Sequence, residues 1–302
     1  MHNDLIVGCV TGYEYDQIEP WLSSIKSSGF SGKVAIIAYN MTKETSDKLT
    51  ENGVSFIFGV KQNEKGDMVY ERPGFNICVE RFAHQYFFLR EMSSFDYIIS
   101  TDVKDVLFQR NPSVWLRENI GANKNIIVGT ENLRYKDEPW GKNNFNLSFG
   151  PFLYEVVKNN PIYCAGVIAG RHNAFVDLCL NVFLICRGNP DTISGGGGSD
   201  QAALNMLLSL DAYKEQTKFL TTKDSFVCHA GTSLHAIRSG SGTIGQTFLQ
   251  DAGVMDEYKE CLLNDDCLFK DGLVCTSDGE PYCVVHQYDR VHEWKGKMIH
   301  EN

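Results

Sequence analysis

The chain has 302 residues, 43% of them hydrophobic, enough to bury a substantial core as one large α/β domain or two packed lobes. Its formal charge of −10, without any run of lysine and arginine, argues against nucleic acid as a main partner, because phosphate backbones call for a clustered basic surface. No window approaches about 18 consecutive apolar residues, and the opening stretch Met1–Tyr13 lacks the basic start and cleavage region of a signal peptide, so no membrane span and a cytoplasmic location are expected.

Apolar runs of strand length at Leu5–Val10, Lys33–Tyr39, Val54–Phe58 and Tyr97–Ser100 alternate with helical spacing at Ile18–Ser28, Thr42–Asn52 and Asn76–Met92. Thr42 is placed to cap the second helix, and Asn52-Gly53 to stop it. This rhythm predicts a mixed α/β sheet with ligands at the carboxyl ends of its strands. Beyond Pro112 the spacing predicts a short helix at Val114–Asn119, a strand at Asn125–Val128, and a surface loop over Glu131–Ser148. A strand running into a small-residue turn follows at Tyr163–Gly170, then helices at Ala174–Cys186 and Asp200–Leu210. Gly195–Ser199 reads equally as a flexible native loop or an introduced linker. The triplets at Asn40 and Asn146 are weak glycosylation signals. Cys261, Cys267, Cys275 and Cys283 cluster without C-x-x-C spacing, which leaves disulfides and reduced thiols open and makes a structural metal the lesser reading.

The strongest chemical signal is Tyr97-Ile-Ile-Ser-Thr-Asp102-Val-Lys-Asp105, a buried-type strand that runs directly into two carboxylates. Hard divalent cations take such oxygen ligands together with the oxygens of a diphosphate. The competing reading has Asp102 capping a turn and Asp105 paired with Lys104 or Arg110. There is no G-x-S-x-G elbow, P-loop or H-E-x-x-H motif.

With these residues the chain resembles the GT-A glycosyltransferases, whose acid-x-acid motif follows a central strand, and in particular the glycogenin-like members of family 8. Here two residues separate the acids instead of one, so either the turn bulges to bring both inward or a single acid reaches the metal. Tyr163-Cys-Ala-Gly-Val-Ile-Ala-Gly170 is similar to the segment lining the donor sugar, with Cys164 where an asparagine is usual. Ser199-Asp200-Gln201 resembles the family's Asp-Gln helix start, although Asp200 is also a good first-turn acid.

The resemblance implies a GT-A fold, Rossmann-like with a mixed central sheet flanked by helices, over a single domain of residues 1–302. Residues 1–110 would form the nucleotide half, 111–245 the donor-sugar and acceptor half, and 246–302 a Cys-rich segment closing the site. It further implies a nucleotide-sugar donor, UDP-linked by preference, and a glycan or other hydroxyl acceptor, with a lean toward retention. Asp102, Asp105 and His286 would hold the cation, with His229 as rival for the imidazole place; an imidazole ligand favours Mn²⁺ over Mg²⁺. Asp200 and Gln201 would serve the reacting carbon. Thr11, Gly12 and Tyr13 would seat base and ribose, Asp102 the ribose as well, Gly166 the sugar, and Arg290 and Lys295 the phosphates. Arg81 would reach the donor, or form a surface salt bridge. Two further readings stay open: a catalytically silent sugar- or nucleotide-binding scaffold of the same fold, and a nucleotidyltransferase, against which the acidic Gly12-Tyr-Glu-Tyr counts.

Overall fold

A computed structural model describes residues 2–71, 76–187, 198–240 and 254–298. Gly195–Gly197 of the glycine-rich segment lie outside these. The amino-terminal third follows the alternating pattern: β1 (Leu5–Val10), α1 (Tyr15–Ser27), β2 (Lys33–Ala38), α2 (Lys43–Glu51), β3 (Phe56–Gly59), α3 (Ile77–Arg90) and β4 (Tyr97–Thr101). Thr42 caps α2 by accepting from the Thr45 amide, and Asn76 caps α3 by accepting from that of Cys78.

A short strand β5 (Val106–Phe108) and α4 (Pro112–Asn119) come next, followed by β6 (Ile126–Arg134), α5 (Pro139–Val157), β7 (Pro161–Arg171), α6 (His172–Cys186), α7 (Asp200–Leu208), α8 (Asp211–Lys214), β8 (Thr217–Leu220) and β9 (Val227–His229). The remaining elements are α9 (Leu234–Arg238), α10 (Val254–Cys261), a hairpin of β10 (Leu268–Lys270) and β11 (Leu273–Cys275), and β12 (Val284–His286).

Seven strands form the central sheet in the order β3-β2-β1-β4-β7-β6-β8. β1 to β4 are parallel where they pair, β7 runs antiparallel to β4 and β6, and β8 returns parallel to β6. Strand alternation builds the two faces of the core. Ile6, Ile36 and Ile99 pack with Ile18, Trp21 and Ile25 of α1 on one side. Leu5, Ile37 and Ile98 pack with Phe82 and Leu89 of α3 and Leu178 and Val182 of α6 on the other. A second, three-stranded sheet in the order β5-β12-β9 sits beyond the end of β4. No helix among the described residues is long and apolar enough to cross a membrane.

Two expectations are corrected. Glu131–Ser148 is not a loop: Glu131 lies inside β6, and α5 begins at Pro139 with Glu138 as its cap, accepting from the amides of Trp140 and Gly141. The helix is interrupted by Gly150 at φ 79°, ψ 168°, with Pro151 directly after it, so polar composition and helix breakers concealed it. Tyr163–Gly170 contains no turn, because β7 runs straight through to Arg171. Its small residues serve close packing: a β-carbon on Gly170 would lie 2.8 Å from the Asn125 carbonyl oxygen. All ten cysteines are free thiols.

Candidate functional site

A cleft of about 700 Å³ opens where β1 and β4 end, over the middle of β7 and against α3, α7 and the β5-β12-β9 sheet. That volume suits a ligand of nucleotide size.

The end of β4 is held from two sides before it reaches the carboxylates. Trp21 Nε1 donates to Thr101 Oγ1 at 2.9 Å and Gln85 Nε2 to Ser100 Oγ at 2.9 Å. The Asp102 amide then donates to the Gly166 carbonyl at 2.8 Å, tying the turn to β7. Four residues later, at Val106, the chain re-enters an extended path as β5, which pairs antiparallel with β12 so that Val106 faces His286. The Gln287 amide donates to the Asp105 carbonyl at 2.6 Å, and Gln287 turns away in a left-handed conformation at φ 62°. The longer acid spacing is thereby absorbed. Asp102 Oδ2 lies 3.4 Å and Asp105 Oδ2 3.7 Å from the same atom, His286 Nε2.

These three side chains can each direct one donor atom at a common point. His286 Nε2 is buried and makes no hydrogen bond, the arrangement expected of a ring nitrogen whose lone pair is reserved for a cation. Two carboxylate oxygens and an imidazole therefore fit a divalent metal with a preference for harder ligands. Room for the ring comes from Gly166, where a β-carbon would stand 2.3 Å from His286 Cε1 and 2.9 Å from Asp102 Oδ2.

Arg81 of α3 is not on the surface. Its Nη1 pairs with Asp102 Oδ1, while its Nη2 donates to Asp200 Oδ2 at 3.0 Å and to the Ala165 carbonyl at 3.1 Å. One guanidinium thus joins the end of β4, the middle of β7 and the start of α7. Burial opposes ionisation of Asp102, but Arg81 and His286 beside it hold its carboxyl well below the usual carboxylate range. Burial raises Asp105 and Asp200, with His286 and Arg81 respectively pulling the other way. Burial disfavours the imidazolium of His286, yet Asp105 and Asp102 turn the balance and raise it. His229 is held well below the usual histidine range by burial and then by His286.

Asp200 and Gln201 both line the cleft, and Gln201 Oε1 accepts from the Ala165 amide at 3.4 Å. Their helix is clamped to β7 by Asn205, whose amide group accepts from the Tyr163 N–H at 2.9 Å and donates to the Tyr163 carbonyl at 2.7 Å. Thr11, Tyr13 and Arg290 also line it. Gly12 and Lys295 do not; Gly12 is a turn residue at φ 68°, and Lys295 is exposed. Arg110 pairs with Glu280 at 2.6 Å instead of with Asp105.

Sequence reasoning missed one wall. Glu131, Glu138 and Trp140 line the cleft together with Lys104 and Gln287. Burial raises Glu131, and burial together with Glu131 pushes Glu138 up to about 7. The available signal for Glu131 was the one that found Asp102, an apolar strand running into an acid, here Ile126-Ile-Val-Gly-Thr-Glu131.

No protein-family profile matches the chain, and no curated protein matches it in sequence. Its fold is similar to solved structures of glycosyltransferases. The apo form of GlyE from Streptococcus pneumoniae TIGR4 aligns with a TM-score of 0.51 at 12% identity, over 95% of this chain and 55% of that one. A second GlyE structure aligns at 0.50 and 12% identity, over 99% and 58%. The apo bifunctional glycosyltransferase WbbM aligns at 0.55 and 12% identity, over 99% and 50%. The chain thus spans about half the length of these proteins, and what it shares with them is the mixed α/β architecture on which its cleft is built.

Proposed function

We propose that this protein is a metal-dependent glycosyltransferase that moves a sugar from a nucleotide diphosphate, UDP by preference, to a hydroxyl of a glycan or other acceptor. The observation that carries the reading is the convergence of Asp102, Asp105 and the unpartnered His286 Nε2 in the lining of a nucleotide-sized cleft. The imidazole favours Mn²⁺ over Mg²⁺. When bound, the cation supplies Lewis-acid stabilisation of the departing diphosphate.

The chain's own residues do the rest. Arg81 locks Asp102 and Asp200 in one network, so that the metal ligand and the sugar-facing acid keep a fixed separation. Arg290 and Lys104 stand in the same cleft as positive groups for the diphosphate. Thr11 and Tyr13, at the end of β1, offer a hydroxyl and a ring face to ribose and base. Gln201 and the narrow floor at Gly166 place the sugar over β7. The buried wall of Glu131 and Glu138 with Trp140 is left for the acceptor, and a retaining course is the one favoured by the Asp200-Gln201 pair.

Calorimetric titration of nucleotide diphosphates and nucleotide sugars, with and without Mn²⁺, tests this on the natural chain and on Asp105→Ala. Metal-dependent binding of one nucleotide, lost in the variant, is the expected result and names the base. Binding without sugar transfer would leave a silent scaffold, and absence of all nucleotide binding would end the reading.

A further inference from the structure

We infer that His229, besides filling space beneath the site, is a positioning residue that fixes the tautomer of His286, taking the Nδ1 proton so that Nε2 is bare toward the cation. The inference rests on the metal-site reading above. The parallel register of β12 with β9 places His286 directly beside His229. The two Nδ1 atoms are 3.0 Å apart with the rings nearly perpendicular, at 87°. A hydrogen bond between two imidazole nitrogens holds one proton, so one ring donates and the other accepts.

Two observations set its direction. His286 Nε2 looks toward Asp102 and Asp105 at 3.4 and 3.7 Å without forming a hydrogen bond, and a cation there requires its lone pair. The neutral ring must then carry its proton on Nδ1. On the far side, His229 Nε2 lies against the backbone at Gly129, close enough that a β-carbon on that glycine would stand 2.9 Å away. The Gly129 carbonyl stands as a weak backbone acceptor toward His229, short of full hydrogen-bond geometry, and it attracts a protonated ring nitrogen and repels a bare one. His229 therefore keeps its proton on Nε2 and offers Nδ1 as the acceptor. Partners of this kind orient metal-binding histidines and set their tautomer, usually as carboxylates or carbonyls. A neutral imidazole in that place adds no charge to a site already holding two acids. Cys164 Sγ, 3.6 Å from His286 Nδ1, is the weaker and longer neighbour.

The test compares His229→Asn, whose Oδ1 can occupy the place of Nδ1, with His229→Leu, which accepts nothing. Free Mn²⁺ is counted by electron paramagnetic resonance in the absence of nucleotide, and circular dichroism verifies folding. His229→Leu is expected to weaken Mn²⁺ binding by about 10- to 100-fold and His229→Asn to restore most of it. If the natural chain binds Mn²⁺ and both variants match it, this inference falls and the metal site stands; if the natural chain binds none, both fall. Should the leucine variant not fold, long-range ¹⁵N–¹H spectra of the metal-free natural chain, recorded with both rings neutral, decide. Protons on His286 Nδ1 and His229 Nε2 support the assignment, and the reverse overturns it. Stoichiometric Zn²⁺ bound through Cys164, His229 and His286 would also overturn it, since the same Nδ1 would then be a ligand.

Discussion

Glu138 illustrates how a single side chain ties the fold to the cleft. It caps α5 through two backbone amides, and it is buried beside Glu131. Its carboxyl titrates at about 7 in the folded chain against 4.5 for an ordinary glutamate, so between those values the folded state binds more protons than the unfolded one. Stability from this group is fully present below the lower value and is lost as pH rises through about 7, by up to about 3 kcal/mol. Glu138→Gln keeps an acceptor for the cap and removes the titration. Denaturant melts across this pH range are expected to flatten in the variant and to place it above the natural chain at pH 8 and higher; an unchanged slope would refute the assignment. At the same scale the sequence was legible in part. Asp102, Asp105 and His286 stood out as acids and a histidine at the ends of apolar strands, and Asp200 through the Asp-Gln pair at a helix start. What Arg81 binds was not readable, since its partners Asp102 and Asp200 come from β4 and α7, far apart along the chain.

Among the elements, β7 is the one whose residue choice is dictated by its neighbours. Gly166 lies where β7 passes beneath His286 and Asp102, and an added methyl group would have to displace a buried ring. Gly166→Ala is expected to cost about 1–3 kcal/mol of stability and to abolish Mn²⁺ binding while leaving the far-UV spectrum intact, as checked by melts and paramagnetic titration. Retained Mn²⁺ affinity would show that the ring has somewhere else to go. The same packing explains why the sequence suggested a turn here: small residues usually mark backbone reversal, whereas in β7 they mark the approach of other groups to a straight strand. In α5 the opposite concealment occurs. Exposed Leu147, Phe152 and Val156 and the break at Gly150 erase the one-sided pattern by which helices such as α1 are recognised. Strands β1, β2 and β4 were legible because each is almost wholly buried and so reads as a continuous apolar run, whereas β3, half-buried at the sheet edge, was placed two residues early.

For the molecule as a whole, a cation and a nucleotide held in one cleft should stabilise jointly. Ligand at a hundredfold excess over its dissociation constant adds about 2.7 kcal/mol to the folded state, a rise in melting temperature of about 5 °C for a chain of this class. Thermal melts with Mn²⁺, with the nucleotide chosen by calorimetry, and with both are expected to give the full rise only in combination. A full rise from nucleotide alone would argue against a bridging metal. The three-stranded sheet has a further consequence, for the timing of synthesis. Its central strand, β12, carries His286, while its edges, β5 and β9, come from much earlier in the chain. On the ribosome, β1 to β4 can collapse as soon as they emerge, but Asp102 and Asp105 then wait as a carboxylate pair without their imidazole until β12 has been made and threaded between its neighbours. Long-range pairing of this kind is slow. On the proposed metal site, cation affinity would be gained only after β12 is in place, and a chain stalled before β12 would carry all seven strands of the central sheet yet be expected to hold no metal.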